Sequence, residues 1–236
     1  MKQLSIIFLA MSVCILEPAV AQSTEKFKGT AYDKKSGKFI YVESHSRLIK
    51  NGKLISGTVE YLNKSGKTFV SKSLQYKYSA IAPDYNLIDK RTGYAEGVRV
   101  LAGNKLSLYN QPSAGKKKQQ AVTSFDPKKL VIDAGFDEFI RKNWDRLQRN
   151  ERILIQFAVP SMLRIVEFRV YKVSSRTVKG KPATVFSMDL GNFFLRLFMD
   201  PIVVSYDNKD KKLLRYEGVS NILNSKGDNH IAKIIF

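Results

Sequence analysis

From about Phe27 onward the chain is written in short alternations of apolar and polar residues. Phe39-Ile40-Tyr41-Val42 opens one run, and Ile55, Gly57, Val59 and Tyr61 recur at every second position in the next. A period of two places one set of side chains on one face of a strand. Between these runs stands Lys50-Asn51-Gly52-Lys53. Asn-Gly is a strong hairpin signal, because both central residues of a type I′ turn take positive φ. Further turns are expected at Asn63–Lys67 and at Gly103-Asn104, the latter between strand runs at Tyr94–Leu101 and Lys105–Tyr109. Thr68–Tyr78 reads as another strand, so the N-terminal half is predicted to be an antiparallel meander. Residues 111–129 break the pattern, and 111–120 are polar, basic and aperiodic, which predicts a flexible loop.

One segment changes period. Phe136, Phe139, Ile140, Trp144 and Leu147 share one face at helical spacing, which predicts a helix near 133–149 with Asp133 as its N-cap. Asp137 and Glu138 stand early, and Arg141, Lys142, Arg146 and Arg149 stand late, as the helix dipole favours. The spacing also predicts the pairs Asp137–Arg141, Glu138–Lys142 and Asp145–Arg149. Alternation then returns at Ile153–Val159, Leu163–Val173, Ala183–Leu190, Leu213–Val219 and His230–Phe236. The stretch Leu195–Tyr206 fits either a short helix and a strand or one bent strand. The expected fold is mainly β (α+β): a strongly curved antiparallel sheet, or half-open barrel, of about 10–11 strands with one covering helix.

Residues 1–21 carry the pattern of a secretory leader. Lys2 precedes an apolar run, Pro18 breaks it, and Ala19-Val20-Ala21 offers a small-x-small cleavage site. The run is shorter than the roughly 20 residues a spanning helix needs. The expectation is a protein exported to the periplasm and cleaved after Ala21, with 22–236 as a single domain. One Cys in 236 residues leaves no disulfide framework, and two His with that one Cys leave no zinc set.

The 40 Lys+Arg against 21 Asp+Glu give a net charge of +19. In an exported protein such an excess favours anionic membrane surfaces or envelope partners. The densest clusters are Lys116-Lys117-Lys118, Lys128-Lys129 and Lys211-Lys212. No zinc-finger spacing or aromatic-interleaved basic motif points to specific nucleic-acid binding.

Hydrolase elbows, the His-Glu-x-x-His pair and phosphate loops are absent from the sequence. His45 shares a strand face with Glu43, whereas Ser44 and Ser46 point the other way, so no nucleophile serves it. The expectation is a protein that is not an enzyme and holds no cofactor or metal. Phe136, Phe139, Ile140 and Trp144, with Phe193, Phe194 and Phe198, are the candidates for an apolar ligand cavity on the concave face. The terminal Phe236 with Ile234 and Ala232 fits the end of an outer-membrane barrel, but the mid-chain helix and the strand-interrupting Glu96 and Glu167 speak against one.

Ser205-Tyr206-Asp207-Asn208-Lys209-Asp210-Lys211-Lys212-Leu213-Leu214-Arg215-Tyr216-Glu217-Gly218 joins a tyrosine-aspartate strand end, a charged turn and a Leu-x-x-Tyr strand. This segment resembles exported bacterial proteins with the half-open barrel of the lipoprotein-localisation factors. Gly135–Leu147 followed by Glu151 is similar to segments of uncharacterised exported families. The resemblance covers mainly 133–236. It implies a half-open barrel with helical cover and transfers no functional residue. The functional expectation is a periplasmic protein that binds a lipid or other amphipathic molecule near an anionic membrane. The alternative is a ligand-free envelope interaction module, and behind it a small outer-membrane barrel.

Overall fold

The structure is a computed structural model that describes residues 21–191 and 200–236. The first strands are β1 (Gln22–Asp33), β2 (Phe39–Lys50), β3 (Lys53–Leu62), β4 (Thr68–Gln75), β5 (Asp84–Asp89), β6 (Ala95–Leu101), β7 (Lys105–Gln111), β8 (Gln119–Ser124) and β9 (Leu130–Val131). Helices α1 (Gly135–Lys142) and α2 (Trp144–Gln148) follow. The chain closes with β10 (Ile153–Val159), β11 (Arg164–Val178), β12 (Lys181–Leu190), β13 (Ile202–Asp207), β14 (Leu213–Leu223) and β15 (Asn229–Ile235). All lie in one sheet of 15 strands, ordered β8 through β1 and then β15 through β9. The sheet is mainly antiparallel, strongly curved and not closed. β1 and β15 pair at its middle, so the two chain halves fold out from a shared seam.

The curvature can be measured by which distant strands touch. Glu96 on β6 and Asn221 on β14 lie seven places apart in the sheet order, yet their side chains are 3.5 Å apart. A flat sheet would separate them by about 34 Å at the usual strand spacing. Tyr41 on β2 likewise meets Ser220 on β14 at 2.8 Å. The concave face is therefore an interior.

The turns follow from local chemistry. Asn51 and Gly52 sit at φ 51° and 73°, the left-handed pair that a type I′ hairpin requires. Asp33, Asp89 and Asp207 each open a turn by accepting a backbone N–H two or three residues on, from Ser36, Arg91 and Lys209 at 2.7–2.9 Å. These aspartate turns fix the register at three hairpins.

Several expectations need correction. The strand number is 15 rather than 10–11, because β5 and the very short β9 were not expected and residues 119–124 form β8. The turn between β7 and β8 is thus shorter than the expected 111–120 loop. The helix is broken at Asn143, whose side-chain amide donates to the Phe139 carbonyl at 3.0 Å and competes with helical continuation. Asp133 does not cap it: Ala134 holds that position, and the Asp133 carboxylate binds Lys72 instead. Asp137–Arg141 forms at 2.5 Å, but Glu138 pairs with Arg141 and Arg47, and Arg149 with Glu151.

Candidate functional site

The helix lies on the concave face and is fully engaged there. Phe136, Phe139, Ile140, Trp144 and Leu147 are all buried in one cluster with Ile155, Phe168, Val170, Phe186, Val204 and Tyr206. The Trp144 ring meets Phe186 and Tyr206 edge-on, with centroids 5.4 and 6.3 Å away. Gly135 admits the helix start: a Cβ there would lie 1.9 Å from the Ile81 carbonyl oxygen. The apolar stripe read from the sequence thus packs as core between helix and sheet. Phe193, Phe194 and Phe198 lie outside the described residues.

Opposite the helix, the concave face is unexpectedly charged. Glu43, Arg47, Lys72 and Glu96 are all buried on inward positions of β2, β4 and β6. Arg47 bridges to the helix through Asp137 at 3.0 Å and Glu138 at 3.5 Å. It therefore clamps α1 to β2 while Trp144 seats α2 on β12 and β13. Lys72 gives its ammonium to both carboxylate oxygens of Asp133, at 2.7 and 2.9 Å, beneath the rings of Tyr61 and Tyr85. Glu96 accepts the Tyr85 hydroxyl at 3.0 Å and the Tyr94 hydroxyl at 2.7 Å, and Asn110 donates to Tyr94. Each charge has partners, so the row can persist in a dry interior.

Burial raises the Glu96 carboxyl above its ordinary 4.5, against the lowering effect of the two tyrosine donors and Lys72. A folded-state value above the unfolded one means that stability is present at acid pH and is lost as pH rises through the folded value. Replacement Glu96→Gln is expected to remove that dependence. Melting curves from pH 4 to 8 should show wild type losing stability relative to the variant as pH rises; parallel curves would refute it. Burial, reinforced by the Glu96 carboxylate, also raises the Tyr85 and Tyr94 phenols, so both stay neutral hydrogen-bond donors to it.

His45 donates or accepts at 2.8 Å with Glu43 and stacks on Phe27 at 4.4 Å. Its nearest cross-strand neighbour on β3 is Val59. The geometry offers an acid–imidazole pair with apolar flanks, and among the described residues no hydroxyl hydrogen-bonds to the ring. Among the described residues, no cluster of His, Cys, Asp and Glu has the form of a metal site.

The lysine clusters are exposed or half-exposed, and the fold does not bring them together. Lys116, Lys117 and Lys118 occupy the β7–β8 turn on one rim, where Lys118 lies 3.7 Å above the Tyr109 ring. Lys128, Lys129, Lys211 and Lys212 lie on the opposite rim, as the antiparallel order dictates. Lys211 reaches within 5.6 Å of the Trp144 ring. Compared with protein-family models and with curated proteins, the chain matches none.

The sequence marks Glu96 as interrupting a strand face but leaves Glu43, Arg47 and Lys72 unassigned to the interior. Their signal was a charged residue at an apolar beat: Val70-Ser71-Lys72-Ser73-Leu74 and Glu96-Gly97-Val98-Arg99-Val100 each put a charge in register with core residues.

Proposed function

We propose that the protein is an exported cell-envelope interaction module that meets an anionic partner through its exterior. The observation that carries this reading is the occupied concave face. The space in which a half-open barrel would hold a guest is taken by the protein's own α1–α2 segment, seated by Trp144 and clamped by Arg47. Export is supported by the leader pattern of residues 1–21, and the anionic partner by the net charge of +19. Outward-facing positions carry Lys28, Arg169, Arg215 and Lys233, which opposes a lipid-facing band around a spanning barrel. No described helix is long and apolar enough to cross a membrane.

The rival is the carrier of an amphipathic guest expected from the sequence. Mass spectrometry of organic extracts separates the two, using folded mature protein purified from the exported fraction without detergent. The module gives an extract identical to a mock purification. A stoichiometric lipid in the extract would overturn this reading in favour of the carrier.

A further inference from the structure

We propose that the convex face beside the β1–β2 turn is a docking surface for an anionic phospholipid bilayer. The inference rests on the reading above, that the exterior of the protein meets an anionic partner, and names that partner. Tyr32 on β1 pairs with Phe39 on β2, their rings edge-to-face at 6.5 Å. Tyr32 also pairs with Lys233 on β15, and two residues further along β15 Ile231 pairs with Val219 on β14. The parity that buries Ala232 and Ile234 turns Ile231 and Val219 outward. Four neighbouring strands therefore turn apolar side chains outward near this turn, with Phe39, Val219 and Ile231 exposed at 38%, 38% and 40%, and the paired Lys233 and Glu217 stand among them. The core does not need these side chains, and exposed apolar groups gathered on neighbouring strands with cations beside them mark a contact surface.

Cations border this patch. Lys34, Lys35 and Lys38 are exposed in the adjoining turn. The backbone N–H of Lys34 is tied to the Ile231 carbonyl at 2.9 Å, so the turn is fixed at the edge of the apolar ground. Nearby carboxylates are engaged elsewhere: Asp33 accepts the Ser36 amide and hydroxyl at 2.7 Å, and Glu217 is held by Arg215 at 2.8 Å and Arg176 at 3.2 Å. Asp200 reaches Lys34 only at 3.8 Å. An aromatic and aliphatic tip bordered by lysines suits a surface with phosphates outside and acyl chains beneath. A second copy fits worse, because a symmetric contact would set the lysine turn near its own image.

The test is co-sedimentation of the mature protein with phosphatidylcholine vesicles, with and without phosphatidylglycerol, at low and high salt. Wild type is expected to bind only the anionic vesicles and to release at high salt. The triple variant Lys34→Ser/Lys35→Ser/Lys38→Ser should bind roughly a hundredfold more weakly, at about fivefold per lysine. Phe39→Ser/Ile231→Ser should bind at least about tenfold more weakly while keeping its salt dependence. The control Lys50→Ser/Lys53→Ser, on the opposite rim, should stay within about twofold. Equal losses in the control, or wild-type binding by both patch variants, would overturn the assignment. So would a patch variant that changes the oligomeric state of a wild type indifferent to vesicles, since the occupant would then be a second copy. A soluble polyphosphate probe separates the levels of failure. Wild type that binds neither vesicles nor polyphosphate defeats the anionic-partner reading itself, whereas retained binding by the patch variants defeats only this site.

Discussion

Replacing Trp144 by Ala is expected to cost about 3–5 kcal/mol, the range for deleting a large buried aromatic. In a domain of this size that lowers the melting temperature by roughly 10 °C. Trp144 is the point at which α2 meets both Phe186 and Tyr206, so its loss empties the contact that seats the helix. What remains is Leu147, the α1 aromatics and the Arg47 clamp to Asp137. The variant should therefore bind more of a fluorescent hydrophobic probe than wild type does, because the sheet face under α2 becomes accessible. Lys142→Ala, exposed at the end of the neighbouring α1, should melt as wild type does. A Trp144→Ala protein with unchanged melting and no more probe binding than wild type would show that the helix is not what fills the concave face. The occupied-interior argument for an interaction module would then fall with it.

The helix was legible in the sequence because its aromatic stripe repeats at helical spacing and leaves no other face to bury. The meander was legible where Asn-Gly and Gly-Asn pairs demand positive φ between alternating runs, as at Asn51-Gly52 and Gly103-Asn104. Among the strands that escaped, β8 is poor in apolar side chains and β9 is too short to show a period. β8 reads Gln119-Gln120-Ala121-Val122-Thr123-Ser124 and is held by its ladder to β7 at the edge of the sheet. β9 is only two residues long and owes its place to pairing with β10. The interior charges escaped for a different reason. Lys72 finds Asp133 across 61 positions and Arg47 finds Asp137 across 90. No local spacing rule reaches that far, and a charged residue is assigned to solvent by default. The same blindness explains the N-cap error: Asp133 has the right residue type for a cap, but its carboxylate is claimed by an ammonium from another strand.

That claimed carboxylate carries the second large effect. Asp133→Asn keeps the side-chain shape and suits the left-handed backbone at this position, φ 43°, so it isolates the charge. It leaves Lys72, 7% exposed, without the carboxylate that now takes its proton donors. Stranding one member of a buried pair costs about 3–5 kcal/mol. The low end, about 3 kcal/mol, is expected here, because the field of Glu96 and the faces of Tyr61 and Tyr85 still act on the ammonium. Lys72→Met combined with Asp133→Asn removes both charges and should recover most of the loss, so that a double-mutant cycle reports strong coupling in chemical denaturation. A second readout distinguishes electrostatics from damage. Asp133 holds the Glu96 carboxyl up and Lys72 holds it down. Neutralising Asp133 alone should therefore move the Glu96-dependent loss of stability to lower pH, and neutralising Lys72 alone should move it to higher pH. Shifts in the same direction for both variants would mean that the two residues only fill space, and that the charged row is not one electrostatic unit.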